Sequence, residues 1–161
     1  MQEPLHKGFA LIEIVIASAI VLTGVLALSE AFSQYVSFAL THEKNIQAAY
    51  LAEESLEAVT HIRDRNWVAN IQSLSNGMPY YLSWTSNQWQ LTSTPVAYVD
   101  QVFLRSIIFT PVYRNASDQI SSSGSTLDTQ TKYITVSISY RDGAATTTKT
   151  MSTYISNING D

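Results

Sequence analysis

The hydrophobic pattern of this chain is of two kinds. From Phe9 to Leu28 (FALIEIVIASAIVLTGVLAL) twenty residues carry one charge, Glu13, and no proline. At the standard helical rise such a run is about 30 Å long, the thickness of a bilayer's hydrocarbon core, so it reads as a membrane-spanning helix. Helix-compatible sequence continues past it: Ile46, Ala49, Ala52, Leu56 and Val59 recur at steps of three and four and form one apolar stripe opposed by charged positions. The first proline after Pro4 is Pro79, and the first strong turn signal is Ser75-Asn76-Gly77. One helix is therefore predicted from Phe9 to about Asp64, on the order of 80 Å long. A helix of that length belongs to a membrane span, a coiled coil or an assembly rather than to a globular core.

The remainder alternates with period two. PYYLSW and QWQL flank Thr85-Ser86-Asn87 and predict a hairpin, and QVFLRSIIFTPVYR follows as one or two strands. Pro111 within that run places the strand at an edge or interrupts it, because proline donates no ladder hydrogen bond. KYITVSISY and ATTTKTMSTYIS flank Arg141-Asp142-Gly143-Ala144, a strong hairpin signal, and residues 115–130 between the two pairs read as a polar loop. The predicted fold is α+β: a long N-terminal helix, membrane-spanning in its first half, whose second half packs against a C-terminal antiparallel sheet of four or five strands. Val136, Ile138, Tyr140, Met151, Tyr154, Phe103 and Ile107 are its expected inner face.

Composition narrows the function. At 161 residues and 17.8 kDa the chain allows one modest domain with an appendage and excludes a multidomain enzyme. Only 14% of residues are charged, well under the usual share, so Ser, Thr, Asn and Gln must cover much of the surface, as in many secreted or assembled proteins. A net charge of −4 argues against a nucleic-acid binder, and the absence of cysteine removes disulfides, thiolate ligands and thiol nucleophiles. His6, His42 and His61 are scattered and accompany no Gly-x-Ser-x-Gly, HExxH or phosphate-loop sequence, so no enzymatic activity and no cofactor is expected. Glu53, Glu57 and His61 share a helix face, but a carboxylate-bridged metal needs ligands from several helices and only one helix is predicted, so they read as a solvated face.

Glu13 is the unexplained residue. A carboxylate near mid-bilayer costs about 2.5–3.5 kcal/mol on insertion scales, and no basic residue lies between Lys7 and Lys44. Were the bond between Gly8 and Phe9 cut, Phe9 would gain an ammonium four residues from Glu13, able to pair with that carboxylate in its own helix or in a neighbouring copy. The first eight residues are too short and polar for an ordinary secretory leader, and the apolar run exceeds a signal-peptide core. Ala17-Ser18-Ala19 has signal-peptidase form, but cutting there would strand Ile20–Leu28.

Lys7-Gly8-Phe9-Ala10-Leu11-Ile12-Glu13 followed by an apolar run resembles the class III signal of the type IV pilin and pseudopilin superfamily. The match is close over residues 7–28 and architectural beyond; residues 48–67 also resemble the helix end of bacterial pilin-like proteins. The resemblance implies a prepilin peptidase as partner, cleaving between Gly8 and Phe9 and N-methylating Phe9. It also implies an assembly salt bridge from Glu13 to the Phe9 amine of an adjacent pilin subunit. On this reading residues 1–8 are a leader, 9–30 a transmembrane and filament-core helix, 31–66 the second half of the helix and 67–161 a sheet head domain. The precursor would sit in membrane lipid as a single-pass protein of the inner membrane, and the mature chain in an extracellular filament. A pseudopilin of a type II secretion or DNA-uptake system and an uncleaved, signal-anchored extracellular binding domain are the alternatives.

The chain departs from the family pattern in carrying Glu30 where many pilins have a kinking proline, and in lacking a C-terminal disulfide loop. Gly24 is then the weak point of the span. Asp118 and Asp128 are the candidates for calcium in the 115–130 loop, but a hard cation needs six or more oxygens and the expectation is no metal. Tyr80, Tyr81, Trp84 and Trp89 form an aromatic cluster suited to core filling and cross-strand pairing, with a carbohydrate or adhesion patch as the rival reading. Asn115-Ala116-Ser117 has the form of a glycosylation sequon.

Overall fold

The computed structural model describes the backbone of residues 6–121 and 126–160, and side chains from residue 11 onward within those ranges. A single α-helix, α1, runs from His6 to Arg65. The chain forms two compact units that divide within this helix, the first ending at Glu43 and the second beginning at Lys44.

In the first unit α1 has no packing face. Leu11, Ile14, Val15, Ile20, Leu22, Leu26, Leu28, Phe32, Tyr35 and Phe38 all lie exposed, and they occupy every side of the helix. Ser18 and Thr23 turn their hydroxyls back onto carbonyls one turn earlier, Ser18 to Val15 and Thr23 to Ala19 and Ile20, so from Leu11 to Leu28 the helix presents almost no polar group outward besides Glu13.

In the second unit the last part of α1 packs against a six-stranded antiparallel sheet. Its strands are β1 (Pro79–Thr85), β2 (Gln88–Thr92), β3 (Leu104–Arg114), β4 (Ile120–Ser121), β5 (Thr126–Asp142) and β6 (Ala145–Ser156). Their order is β2-β1-β3-β5-β6, with β4 pairing the far end of β3. The buried helical stripe is Ala48, Ala52, Ser55, Val59 and Ile62, displaced from the expected one: Ile46 is 46% exposed, and Ala49 and Leu56 sit at the margins. Small residues fill most of it. Ala48, Ala52 and Ser55 let the helix approach the sheet closely, and Ser55 avoids an unpaired buried hydroxyl by donating to the Leu51 carbonyl.

Asn66 ends α1: its side-chain oxygen accepts the Ala69 amide at 2.6 Å, and a short π-helical turn, Val68–Gln72, follows. That turn buries Trp67 and Ile71, and the Trp67 indole N–H donates to the Thr129 carbonyl at 3.3 Å. Gly77 then takes the left-handed conformation (φ 77) at the expected turn and donates its amide to Phe109 O at 2.8 Å, linking the turn to β3.

Both predicted hairpins form. Ser86 and Asn87 have positive φ (54 and 60), which matches the twist of the strands they join, and Gly143 (φ 61) does the same between β5 and β6. Pro111 does interrupt its strand. The β3–β5 register shifts between Pro111, which faces Lys132, and Val112, which faces Asp128, so that residues 129–131 of β5 meet none on β3; the inward parity of β3 changes there, with Ile107 and Phe109 buried before the shift and Val112 after it. The strand is internal to the sheet order, but β1 pairs it only at Ile107 and Ile108 and β4 only at Tyr113 and Arg114, so the proline sits where its free side meets no strand.

Three expectations need correction. The polar loop is shorter than residues 115–130, because Ile120–Ser121 pairs with β3 and β5 already begins at Thr126. The sheet has six strands instead of four or five. Tyr154 does not face the core: it is 50% exposed and stacks on Tyr133 of the neighbouring strand at 4.8 Å, while Ile155, of opposite parity, is buried. Met151 and Tyr154 differ in parity and could not share one face of a regular strand. Val136, Ile138, Tyr140, Phe103 and Ile107 are buried as expected.

Phe109 anchors the interior. It is fully buried, meets Tyr80 edge-on at 5.8 Å, and lies 6.0 Å from the Lys132 ammonium, which donates to the Leu74 carbonyl at 2.9 Å. Burial pushes the Lys132 amine below its ordinary pKa. Phe109→Ala should lower unfolding stability by about 3–5 kcal/mol. Denaturant unfolding in detergent, read through a signal from the sheet unit, checks this; a loss under about 1 kcal/mol would show the site collapsing around the deletion.

Candidate functional site

The N-terminal helix is the first candidate. It is long and apolar enough to cross a membrane, and none of its apolar stretch is buried. Glu13 projects from this surface, exposed, between Leu11, Ile12, Ile14 and Val15. Gly8 lies in the helical backbone, while the placement of its partner side chain, Phe9, falls outside the described residues, as do Met1–Leu5. Gly24 is helical, and a Cβ built on it would touch nothing within 4 Å, so no close contact within this chain requires a glycine there.

The second candidate is at the tip of the first hairpin. Trp84 and Trp89 are directly opposed across β1 and β2 and meet edge-to-face at 5.1 Å. Both project on the side occupied by α1, and Trp84 is 57% exposed. Together with His61, Arg65 and Gln88 they line a cleft of about 340 Å³. Arg65 is fixed by donating to the Gln88 side-chain oxygen and to the Trp89 carbonyl. Trp89 carries the Arg105 guanidinium over its ring at 5.2 Å, and Arg105 in turn pairs with Glu54 at 3.0 Å. The aromatic cluster thus divides: Tyr80 and Trp89 pack on the core, while Trp84 is left exposed with the Trp89 ring edge-to-face against it. Arg65 and Gln88 lie 23 residues apart in sequence, so nothing local signalled that helix end and hairpin would build one cleft. Glu53, Glu57 and His61 remain on the exposed helix surface, and among the described residues no three His, Asp or Glu side chains are grouped to hold a metal.

Asp118 and Asp128 do come together, around a cation of the chain's own. Arg114 Nε lies 2.6 Å from Asp128 and 3.6 Å from Asp118, and its Nη1 donates to the Asp118 carbonyl at 2.8 Å. The guanidinium supplies the positive charge that a calcium ion would bring. Asn115, the sequon residue, accepts amides from Ser117 and Gln119 at 2.9 and 3.0 Å and so closes the turn that presents Asp118. Desolvation pushes the Asp128 carboxyl up, but hydrogen bonds from Arg114, Thr131 and the Gln130 amide outweigh it and hold the group below the ordinary carboxylate range. The same bond to Asp128 raises Arg114.

No protein-family model, curated protein or solved structure matches this chain.

A depressed carboxyl pKa stabilises the fold above the unfolded-state value near 4, and that contribution disappears as pH falls through the lower folded value. The stability gap between the natural chain and Asp128→Asn should accordingly shrink as pH is lowered from about 6 to about 2. Thermal unfolding across that range measures it, and a gap independent of pH would show that Asp128 contributes no linked proton.

Proposed function

We propose that this chain is a structural subunit of a type IV pilus-like filament, made as a membrane-anchored precursor, cut between Gly8 and Phe9, and assembled through its N-terminal helix. One observation carries the reading: the helix from Leu11 to Leu28 is apolar on all sides, packs against none of the described residues, and bears one carboxylate, Glu13. A lone membrane anchor needs the apolar surface but gains nothing from Glu13. A bundle of identical helices uses both, because lipid can cover the surface first and sister helices afterwards, while the acid selects a partner that brings an amine. Cleavage ahead of Phe9 would create that amine four residues from Glu13. The resemblance of residues 7–13 to the prepilin signal adds the enzyme that would make the cut and methylate the new terminus. Hydroxyl side chains dominate the exposed positions of β6, as suits a head domain facing water at a filament surface.

Mass spectrometry of the protein recovered from cells tests the processing directly. The expected mature chain begins at N-methylated Phe9, and an intact Met1 would replace this reading with that of a simple anchor. In the same cells Glu13→Ala should insert into the membrane at least as well as the natural sequence, yet enter sheared filaments at least tenfold less. Equal incorporation would remove the pairing from the account.

A further inference from the structure

The cleft between the end of α1 and the first hairpin plays no part in filament assembly through the N-terminal helix, and its construction is unusual for idle surface. We propose that it binds an acidic saccharide, one pyranose ring lying on the exposed indole of Trp84, which the Trp89 ring meets edge-to-face, with its carboxylate directed to Arg65. This inference is independent of the filament reading.

The Trp84 indole is held rigid from beneath. The two-residue turn at Ser86-Asn87 sets Trp84 opposite Trp89, Arg105 braces the Trp89 ring, and Arg65 ties the Trp89 backbone and the Gln88 side chain to the helix. A large aromatic kept exposed on a fixed support presents a ready apolar contact, and the few polar groups around it determine what can lie there. A pyranose offers a face of C–H groups to an indole and hydroxyls at its edge. The Gln88 amide uses its oxygen on Arg65, which leaves the NH₂ free to donate, and His61 adds an exposed ring nitrogen.

Charge selects among saccharides. No carboxylate lines the cleft, and among the described residues no acid pairs with Arg65. A guanidinium with unspent N–H donors beside an apolar platform suits a planar carboxylate. A cationic ligand would meet Arg65 with no acid beside it. A nucleic acid could stack its bases, but its phosphates need a basic track, and residues 44–160 carry as many acids as bases, with one guanidinium in the cleft.

The test is a titration of the full chain in detergent micelles with tri-galacturonate, neutral tri-galactose and an oligothymidylate, read by tryptophan fluorescence and calorimetry. Tri-galacturonate should bind saturably and at least tenfold more tightly than the neutral trimer. Trp84→Ala, at an exposed position, should weaken it at least tenfold with circular dichroism unchanged. Gln88→Glu keeps the acceptor for Arg65 while adding a negative charge, and should abolish the preference for the acidic trimer while sparing the neutral one. The proposal is overturned by absence of saturable saccharide binding, by equal affinity for the two trimers, by tighter binding of the oligonucleotide, or by an unaltered affinity in Trp84→Ala.

Discussion

An apolar helix surface without a partner among the described residues is the constraint on which the rest depends. From Leu11 to Phe38 the helix exposes large aliphatic and aromatic side chains all round its circumference. Each such side chain is worth about 1.5–3 kcal/mol when moved from water to an apolar surrounding, so this segment cannot stay in water. The helix is long and apolar enough to cross a membrane, and the coverings suited to such a surface are hydrocarbon and other apolar helices. Glu13 distinguishes them: hydrocarbon penalises the carboxylate, whereas a packed helix that brings an amine removes the penalty.

The second unit solves the opposite problem, which is to hold a folded body on one helix face without disulfides. Small residues along α1 bring the helix against the sheet, and Trp67 and Ile71 of the π-helical turn close the end of the core. The bulge in β5 opposite the Pro111–Val112 step lets β3 turn Ile107 and Phe109 inward on one side of it and Val112, of opposite parity, on the other. Where charge is buried it is paired or bonded, as with Lys132 on the Leu74 carbonyl and Arg105 on Glu54. The outward layer is left to threonine and serine, several of which bond one another across β5 and β6, as Ser139 does with Thr148 and Ser152 with Thr135.

Much of this was legible in the pattern of residues because periodicity reports burial directly. The long helix, both hairpins and their turn residues, the interruption at Pro111 and most of the sheet's inner face follow from steps of three and four or of two. Failures came where tertiary packing overrode local pattern. The buried helix stripe runs through Ala48 and Ser55, because the sheet needs close approach more than it needs bulk, and a stripe drawn from larger apolar residues therefore sits slightly rotated. β5 extends back to Thr126 through polar residues, since pairing with β3 and β4's neighbourhood satisfies its backbone whatever its side chains. Glu13 announced itself by being out of place, whereas the Trp84 cleft did not, since Arg65 and Gln88 meet only once the fold has formed. Arg114 was likewise invisible as the partner of Asp118 and Asp128 until the strands were in register.

The most direct test of the central claim is the water accessibility of the N-terminal helix in protein at its working location. The chain has no cysteine, so Ile20→Cys, Val21→Cys and Leu22→Cys, introduced one at a time and spaced about 100° apart around the helix, give background-free probes of three faces. All three should resist a water-soluble, membrane-impermeant maleimide until the assembly is denatured, and mild oxidation should join copies of the chain through at least one of them. Rapid labelling of any of the three before denaturation would show a face of the helix open to water and contradict the account.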